Sequence, residues 1–188
     1  MSDVDEQVES EEQVAQREAQ RRFALAQIRQ YPDAALKLQA RPVEAFDDEL
    51  RSLVERMKRL MHDASGIGLA ATQVGVLQRL FVFHPGEDED VVAVVNPDIV
   101  KRSKQTQVDD EGCLSIQGLT VPVERAVTVT LVGRDENGGE VHYDLDDVYA
   151  RAAQHEVDHL DGVLIIDRTT PEARREALGK LRPRIVLG

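Results

Sequence analysis

The sequence predicts an α+β fold, because its helix and strand patterns come in separate blocks without a regular βαβ alternation. Apolar residues recur at helical spacing over residues 50–61, after Asp47 and Asp48, which can cap a helix. Short apolar runs at residues 79–83 and 91–95 then predict buried strands. A chain of 188 residues suits one domain of ordinary size.

The second half of the chain carries further strand and helix signals. Residues 127–131 predict another strand, and Asn137-Gly138-Gly139 is a strong signal for a hairpin with a return strand near Val141. Capping aspartates predict a second helix over residues 146–160. A proline in the first turn predicts a short third helix over residues 170–181.

Charge is distributed unevenly along the chain. Residues 1–12 contain six acidic side chains and no basic ones, and residues 1–20 are poor in large apolar groups. We therefore expect residues 1–20 to form an acidic tail outside the fold, disordered or loosely helical, and residues 21–188 to form a single domain. The net charge of −12 disfavours binding to nucleic acid or an anionic membrane by the protein as a whole. Residues 172–184, with five basic and two acidic side chains, could still contact an anionic partner locally.

Three features favour a cytoplasmic protein. The N-terminus is acidic and lacks the basic and then apolar regions of a signal peptide. A single cysteine cannot close a disulfide within the chain, so cysteine usage does not argue for secretion. No apolar run approaches the length of about 18–20 residues needed to span a bilayer.

The segment Gln154-His155-Glu156-Val157-Asp158-His159 carries the strongest chemical signal. Histidines at positions i and i+4 lie on one face of a helix, so both imidazoles can bind one metal ion. Glu156 could take a proton from a metal-bound water. The alternative is a chance pair of helical histidines beside a surface acid, which five histidines in the whole chain make the weaker interpretation. Many metallopeptidases share this pattern, so it predicts a metal and leaves the reaction open.

Cys113 is the best candidate for the third protein ligand that a catalytic metal site needs. Downstream of His159 there are acidic residues but no further histidine. A thiolate bound to a cation is ionised at neutral pH, and Gly112 would let the backbone pass close to the metal. The alternative is that Cys113 is a small buried side chain in a strand.

The segment Gly66-Ile67-Gly68-Leu69-Ala70-Ala71-Thr72-Gln73 is a weaker signal. Its small residues would let a substrate backbone lie close to the chain, and the Gln73 amide could donate to a developing oxyanion. Considered alone, the segment is better interpreted as a turn into a packed strand.

Together the three segments resemble peptide deformylase, the bacterial enzyme family that removes the formyl group from the initiator methionine of nascent proteins. The family motifs correspond to residues 66–73, to Glu111-Gly112-Cys113-Leu114-Ser115 and to residues 154–160, in that order. The similarity extends from roughly residue 24 to residue 170. The resemblance implies an α+β fold of small, mostly antiparallel sheets packed around a central metal-binding helix with the His-Glu-x-x-His pattern.

The resemblance also implies roles for nine residues, in a single metallohydrolase domain spanning residues 21–188. They are the metal ligands Cys113, His155 and His159; the general acid/base Glu156; the oxyanion donors Gln73 and the backbone N–H of Leu114; and the substrate contacts Gly68, Ile67 and Gly112.

Two considerations disagree about the identity of the metal. One thiolate and two imidazoles with an open position favour Zn²⁺ on ligand chemistry alone. The family resemblance instead implies Fe²⁺, one per chain, with Zn²⁺, Ni²⁺ or Co²⁺ as substitutes. An ion that readily adds a fifth ligand can hold both the attacking oxygen and the formyl oxygen. We therefore expect Fe²⁺ to give the fast enzyme, which air inactivates.

The expected reaction is attack of a metal-bound water on the formyl carbon, with Glu156 as general acid/base and formate as product. N-formylmethionyl peptides and nascent chains are the expected substrates, and the basic C-terminal segment could contact the ribosome. Two alternatives are a zinc protease that cuts internal peptide bonds and a non-catalytic protein in which the ion only stabilises the fold. The chain departs from the family pattern at Gln117, where a proline is common, and in its acidic tail.

Overall fold

The computed structural model describes residues 10–181. The helices are α1 (Glu11–Ala26), α2 (Asp48–Asp63), α3 (Asp147–Leu160), α4 (Ile165–Arg168) and α5 (Pro171–Leu181), with short 3₁₀ turns at Ala34–Lys37 and Ala71–Val74. The strands are β1 (Gly68–Ala70), β2 (Leu80–Phe83), β3 (Val92–Arg102), β4 (Thr106–Cys113), β5 (Ile116–Ala126), β6 (Thr128–Arg134) and β7 (Glu140–Asp146).

The strands form two antiparallel sheets, which confirms the predicted α+β class at that level. One sheet has the order β1-β2-β3-β6-β7, and the other consists of β4 and β5. The strands predicted at residues 79–83, 91–95 and 127–131 are confirmed as β2, the start of β3 and the start of β6. Strand β3 continues to Arg102 because it pairs with β6 there, although Val100 in that stretch is exposed and the apolar run has ended.

Strand β2 is buried on both faces, which explains why its sequence is apolar without alternation. Leu80 and Val82 join a hydrophobic cluster with α2, whereas Phe81 and Phe83 join a second cluster with α3. The sheet therefore lies between these two helices, with one apolar cluster on each side.

Helix α2 confirms the amphipathic helix predicted from residues 50–61. It begins where the Asp47 side chain accepts a hydrogen bond from the Leu50 N–H (3.0 Å). The buried residues recur every three or four positions, so one face of the helix packs on the sheet. They are Leu50, Val54, Met57, Leu60 and Met61.

Within the predicted acidic tail, residues 11–20 form the first turns of α1. Ser10 and Gln13 make a reciprocal capping box that starts the helix. Residues 10–23 are exposed apart from a half-buried Val14, so this part has no apolar stripe from which a helix could be predicted. Residues 1–9 lie outside the described part of the chain.

The hairpin of β4 and β5 forms the second sheet, and it was not among the predicted strands. Acidic residues interrupt β4, so its sequence lacks a strand-like apolar alternation. Strand β5 packs with α4 and α5 in a third hydrophobic cluster, which includes Val121, Val123 and Ile165. Helix α3 contacts strands of both sheets. None of the helices within residues 10–181 combines the length and apolar content of a membrane span.

Candidate active site

Helix α3 is anchored to the end of β5 by the side chain of Gln154. Its Nε2 donates to the Ala126 carbonyl (3.0 Å), and its Oε1 accepts from the Ala126 N–H (3.2 Å). Through these two hydrogen bonds, the Gln154 side-chain amide takes the place that a neighbouring strand would have beside Ala126. It fixes the rotation of α3 next to the residues that carry the predicted chemistry, His155 and His159.

The atoms of the three predicted metal ligands converge. His159 Nε2 lies 3.1 Å from His155 Nε2 and 3.2 Å from Cys113 Sγ, and all three ligand atoms lie within 4.8 Å of one another. Ligands of one tetrahedral ion, at about 2.0–2.3 Å from it, are separated by roughly 3.3–3.8 Å. The donor set and its spacing therefore fit a single metal ion.

Burial and neighbouring groups shift the pKa values of the two imidazoles in opposite directions. Burial alone would lower the pKa of His155, but its hydrogen bonds to Cys113 and Glu111 outweigh this effect and place that pKa well above its ordinary value. The pKa of His159 lies well below its ordinary value, first because burial disfavours the charged ring and then because His155 lies beside it. A neutral imidazole presents a free lone pair, which is the form that binds a metal. The Ser115 N–H donates to Cys113 Sγ (3.4 Å).

Glu156 lies between the ligands and the Gly66–Gly68 segment, and its side chain is buried. Among the described residues its Oε2 atom has no hydrogen-bond partner. Burial raises the pKa of Glu156 to about 7, against an opposing effect of His155. A Cβ atom at Gly68 would lie only 2.4 Å from Glu156 Oε1, so glycine is required there for this carboxylate to occupy its position.

Gln73 is fully buried, and its amide orientation is set by the backbone of its own turn. The Ala70 N–H donates to Gln73 Oε1 (2.8 Å), which directs Nε2 towards Ser115 Oγ (3.1 Å) and Cys113 Sγ (3.8 Å). The neighbouring turn is held by the Leu114 carbonyl, which accepts from Gln30 Nε2 (2.9 Å). Two elements distant in sequence thus bring the predicted oxyanion donors to the same site.

A cavity of about 720 Å³ opens onto these groups. Eight of the nine predicted site residues line this cavity. The exception is His159, which is buried and does not line it. Ile67 and Gln117 line the cavity, and both are exposed to solvent. A Cβ at Gly112 would meet only ordinary contacts, with Thr120 at 3.7 Å and Leu119 at 3.9 Å, so close backbone approach does not require a glycine there.

Comparison with known proteins identifies the family. The family model described as polypeptide deformylase matches residues 25–175 of this chain. The chain belongs to this family. Peptide deformylases are hydrolases, so the resemblance and the hydrolase class predicted from the three motifs are confirmed.

Individual deformylases match over most of their length. The chain is 45% identical over 160 residues to the peptide deformylase of Acidothermus cellulolyticus, covering 85% of this chain and 87% of that protein. It is 40% identical over 155 residues to that of Thermodesulfovibrio yellowstonii, covering 81% and 93%. The crystal structure of peptide deformylase from Thermotoga maritima matches with a TM-score of 0.73 at 43% identity, covering 77% of this chain and 97% of that one. A structure from Synechococcus elongatus in complex with actinonin gives 0.77 at 38% identity, covering 81% and 85%.

A buried network of ion pairs lies beside His155, and the sequence predicted no role for it. Glu111 Oε2 lies 3.1 Å from His155 Nδ1, and Arg125 binds both carboxylate oxygens of Glu111 at 2.9 and 3.0 Å. Burial alone would raise the pKa of Glu111, but the hydrogen bonds from His155 and Arg125 outweigh it and lower that pKa. An ionised Glu111 orients the His155 ring with Nε2 towards the other ligands.

The same network continues through α3 to α4. Arg125 Nη1 also donates to Asp158 (2.6 Å), and Arg168 binds both oxygens of Asp158 at 2.6 and 3.0 Å. Asp158 is one of the two residues between Glu156 and His159, so it belongs to the motif. No local sequence pattern, however, predicts that Arg125 is its partner. The network joins the hairpin, α3 and α4 behind the ligands.

Proposed function

We propose that this protein hydrolyses the N-formyl group from the initiator methionine of nascent proteins and releases formate. The observation that carries the proposal is the convergence of Cys113, His155 and His159 beside Glu156 at the inner end of the cavity. Membership of the peptide deformylase family supports the substrate, N-formylmethionyl peptides and nascent chains. The proposed location is the cytoplasm, where such chains are made.

Cys113, His155 and His159 would hold one metal ion, which we propose to be Fe²⁺, with Zn²⁺, Ni²⁺ or Co²⁺ as substitutes. When bound, the ion would act as a Lewis acid that polarises the formyl carbonyl and makes a water molecule more acidic. The choice of Fe²⁺ rests on the family resemblance, because one thiolate and two imidazoles by themselves favour Zn²⁺.

Glu156 would move the proton. Its carboxylate is buried at the ligands and its Oε2 has no partner among the described residues, so it is free to accept a proton from the attacking water. The protonated acid then donates to the amine nitrogen of the departing methionine. A pKa near neutrality suits both steps, and burial favours it.

Gln73 Nε2 and the Leu114 N–H would stabilise the oxyanion that forms on the formyl oxygen. Gln73 supports this role because its Oε1 is held by the Ala70 N–H, so the donor needs no reorientation during the reaction. Loss of one such donor typically costs about 10²–10³ in rate.

The substrate backbone would lie along β1, which is the edge strand of the larger sheet. An extended peptide can add to such an edge through main-chain hydrogen bonds. Gly68 and Ile67 lie on this edge, and Gly112 lines the opposite side of the cavity. Since Glu156 is packed against Gly68, we place the reacting end of the substrate there. A tight site at this point would admit a small formyl group and exclude a longer acyl chain.

The proposal is tested with formyl-Met-Ala-Ser and acetyl-Met-Ala-Ser, and with an unfolded protein as a substrate for internal cleavage. We expect formate release from the formyl peptide, no release of acetate, and no internal cleavage. Cleavage of internal bonds would support the zinc protease. A metal-loaded protein that hydrolyses none of these substrates would support a purely structural ion.

The identity of the metal needs a separate measurement. The protein is stripped of metal and reloaded anaerobically with Fe²⁺, Ni²⁺ or Zn²⁺, and turnover of the formyl peptide is compared. We expect the Fe²⁺ form to be the fastest and to lose activity in air. A Zn²⁺ form of equal activity, with no effect of air, would contradict Fe²⁺ and leave the three ligands as proposed.

A contact between the basic C-terminal segment and the ribosome is a further part of the proposal. In α5, Arg174 pairs with Asp167 (2.8 Å), and Lys180 pairs with Glu176 (2.7 Å). These acids offset part of the positive charge, while Arg182 and Arg184 lie outside the described residues. Ribosome pelleting at low and high salt, with Arg174 and Lys180 changed to Gln, tests the contact. Unchanged binding would remove α5 from consideration.

A further inference from the structure

Helix α1 forms one wall of the outer end of the cavity. Arg21 and Leu25, one turn apart on the same face, both line it. Leu25 is buried and fixes that face of the helix in the core, whereas Arg21 is exposed. The Arg21 Nε donates to the carbonyl of Ala64 (3.3 Å), at the end of α2. This bond uses the Nε–H of the guanidinium and leaves the end-on pair of N–H groups, one on each Nη, without a hydrogen-bond partner among the described residues.

Arg21 is the arginine among the described cavity-lining residues whose side chain can still bind the carboxylate of a ligand. Within residues 10–181, no carboxylate pairs with Arg21. The other arginine that lines the cavity, Arg151, has its Nη groups bound to Glu111 (2.8 Å) and Asp109 (3.0 Å) and to backbone carbonyls. A net charge of −12 would repel an acidic peptide, so its carboxylate needs a local cation.

The geometry of β1 gives the direction in which a substrate leaves. In the proposed mode of binding, the reacting end of the substrate lies at Gly68, beside Glu156. Beyond it, residues 69–71 are fully buried, so a peptide cannot continue that way, whereas Ile67 is 45% exposed. The peptide must therefore run past Ile67 towards Ala64. Ala64, where Arg21 is anchored, is four residues from Gly68 and so at most about 13 Å away. The third or fourth residue of an extended peptide, at about 3.3 Å per residue, falls within that distance.

We propose that Arg21 is a specificity-determining residue that recognises a carboxylate at the third or fourth residue of the formyl peptide. This inference rests on the proposed function. The planar guanidinium can bind a carboxylate through two parallel N–H groups, which a lysine could not do. An Asp or Glu side chain and the free C-terminus of a short peptide both supply such a carboxylate.

The test compares peptides that differ only in that carboxylate. They are formyl-Met-Ala-Glu-amide against formyl-Met-Ala-Gln-amide, the same pair with one more Ala before the last residue, and formyl-Met-Ala-Ser as free acid against amide. For a partly exposed pair, we expect the wild type to prefer the carboxylate form about two- to fivefold in kcat/KM at low salt, mainly through KM. The first two pairs report a side chain and the last one reports a C-terminus.

The variants are Arg21→Gln, Arg21→Lys and the matched control Arg22→Gln, an exposed arginine on the same helix that does not line the cavity. We expect Arg21→Gln to abolish the preference, Arg21→Lys to retain part of it, and Arg22→Gln to retain all of it. Equal rates on all paired peptides in the wild type, or a preference that survives Arg21→Gln, overturns the inference. A wild type that releases no formate from any peptide would instead overturn the proposed function.

Discussion

The two ends of the cavity differ in how firmly their side chains are held. At the inner end, contacts from the hairpin, α3 and β1 fix Cys113, His155 and Glu156. At the outer end, one hydrogen bond to Ala64 holds Arg21. The inner groups are buried or half-buried, and the guanidinium outside is exposed. Reaction chemistry needs atoms held to within about 0.5 Å, whereas contact with a variable part of a peptide does not. We expect changes at the inner end to reduce kcat and changes at the outer end to alter KM.

The largest effect is expected from Glu156→Gln. The amide has nearly the same shape but cannot accept a proton, so turnover should fall by about 10²–10⁴-fold. Metal content should stay at the wild-type level because Cys113, His155 and His159 are intact. Cys113→Ala is the contrasting variant and should lose both metal and activity. Near-normal turnover by Glu156→Gln, measured with metal analysis of the same sample, would remove Glu156 from the mechanism.

The next effect in size is expected from Gly68→Ala. The new methyl group would lie 2.4 Å from Glu156 Oε1 and must displace the carboxylate, so kcat should fall by about 10²-fold without loss of metal. Gly112→Ala is the matched control, since its methyl group would meet Thr120 at 3.7 Å. Steady-state kinetics of both variants on one formyl peptide make the comparison. Equal kcat values for the two would show that tight packing at Gly68 is irrelevant to the reaction.

Arg125→Met tests whether the ion network supports the inner end. The change removes the shared partner of two buried carboxylates, Glu111 and Asp158, which keep their bonds to Arg151 and Arg168, so we expect the free energy of unfolding to fall by about 1–3 kcal/mol. Loss of support for His155 should weaken metal affinity by about 10–100-fold. Arg168→Met is the control, because Arg168 is half-exposed and Asp158 keeps its bond to Arg125. Urea unfolding and competition with a chelator measure the two effects; identical results for both variants would contradict the assignment.

The inner and outer ends also differ in how far the sequence predicted them. Helix α2 follows from local periodicity and the Asp47 cap, and the His155–His159 face follows from the i, i+4 spacing. The predicted aspartate cap of α3 is not formed, because Asp146 at its N-cap makes no side-chain capping hydrogen bond. The partners of Arg125 could not be predicted, because Glu111 and Asp158 lie 14 and 33 residues away and any acid in the chain could have served. The cavity position of Arg21 was missed for a related reason: the surface turns of α1 carry no apolar pattern, and a lone arginine does not indicate which cavity it faces.

Deleting residues 2–20 should have the smallest effect. The deletion removes the Ser10 cap and the exposed turns of α1 but keeps Arg21 and the buried residues Ala24 and Leu25. Since surface changes away from the core usually cost under about 0.5 kcal/mol, saturated turnover should change by less than about twofold. The remaining helical residues, 21–26, are too few to be stable on their own, so Arg21 should be less well oriented and any preference for carboxylate peptides should weaken.

The matched control is deletion of residues 2–9, which leaves Ser10 and all of α1 in place and should behave like the full chain. Kinetics on the Glu and Gln peptides, together with thermal unfolding, separate the two deletions. Because Leu25 and Ala24 still pack in the core, the shortened protein should bind metal as the full chain does. A large fall in kcat or in metal content after deletion of residues 2–20 would mean that the exposed turns of α1 support the inner end. The division between a fixed reaction centre and a loosely held outer wall would then be wrong.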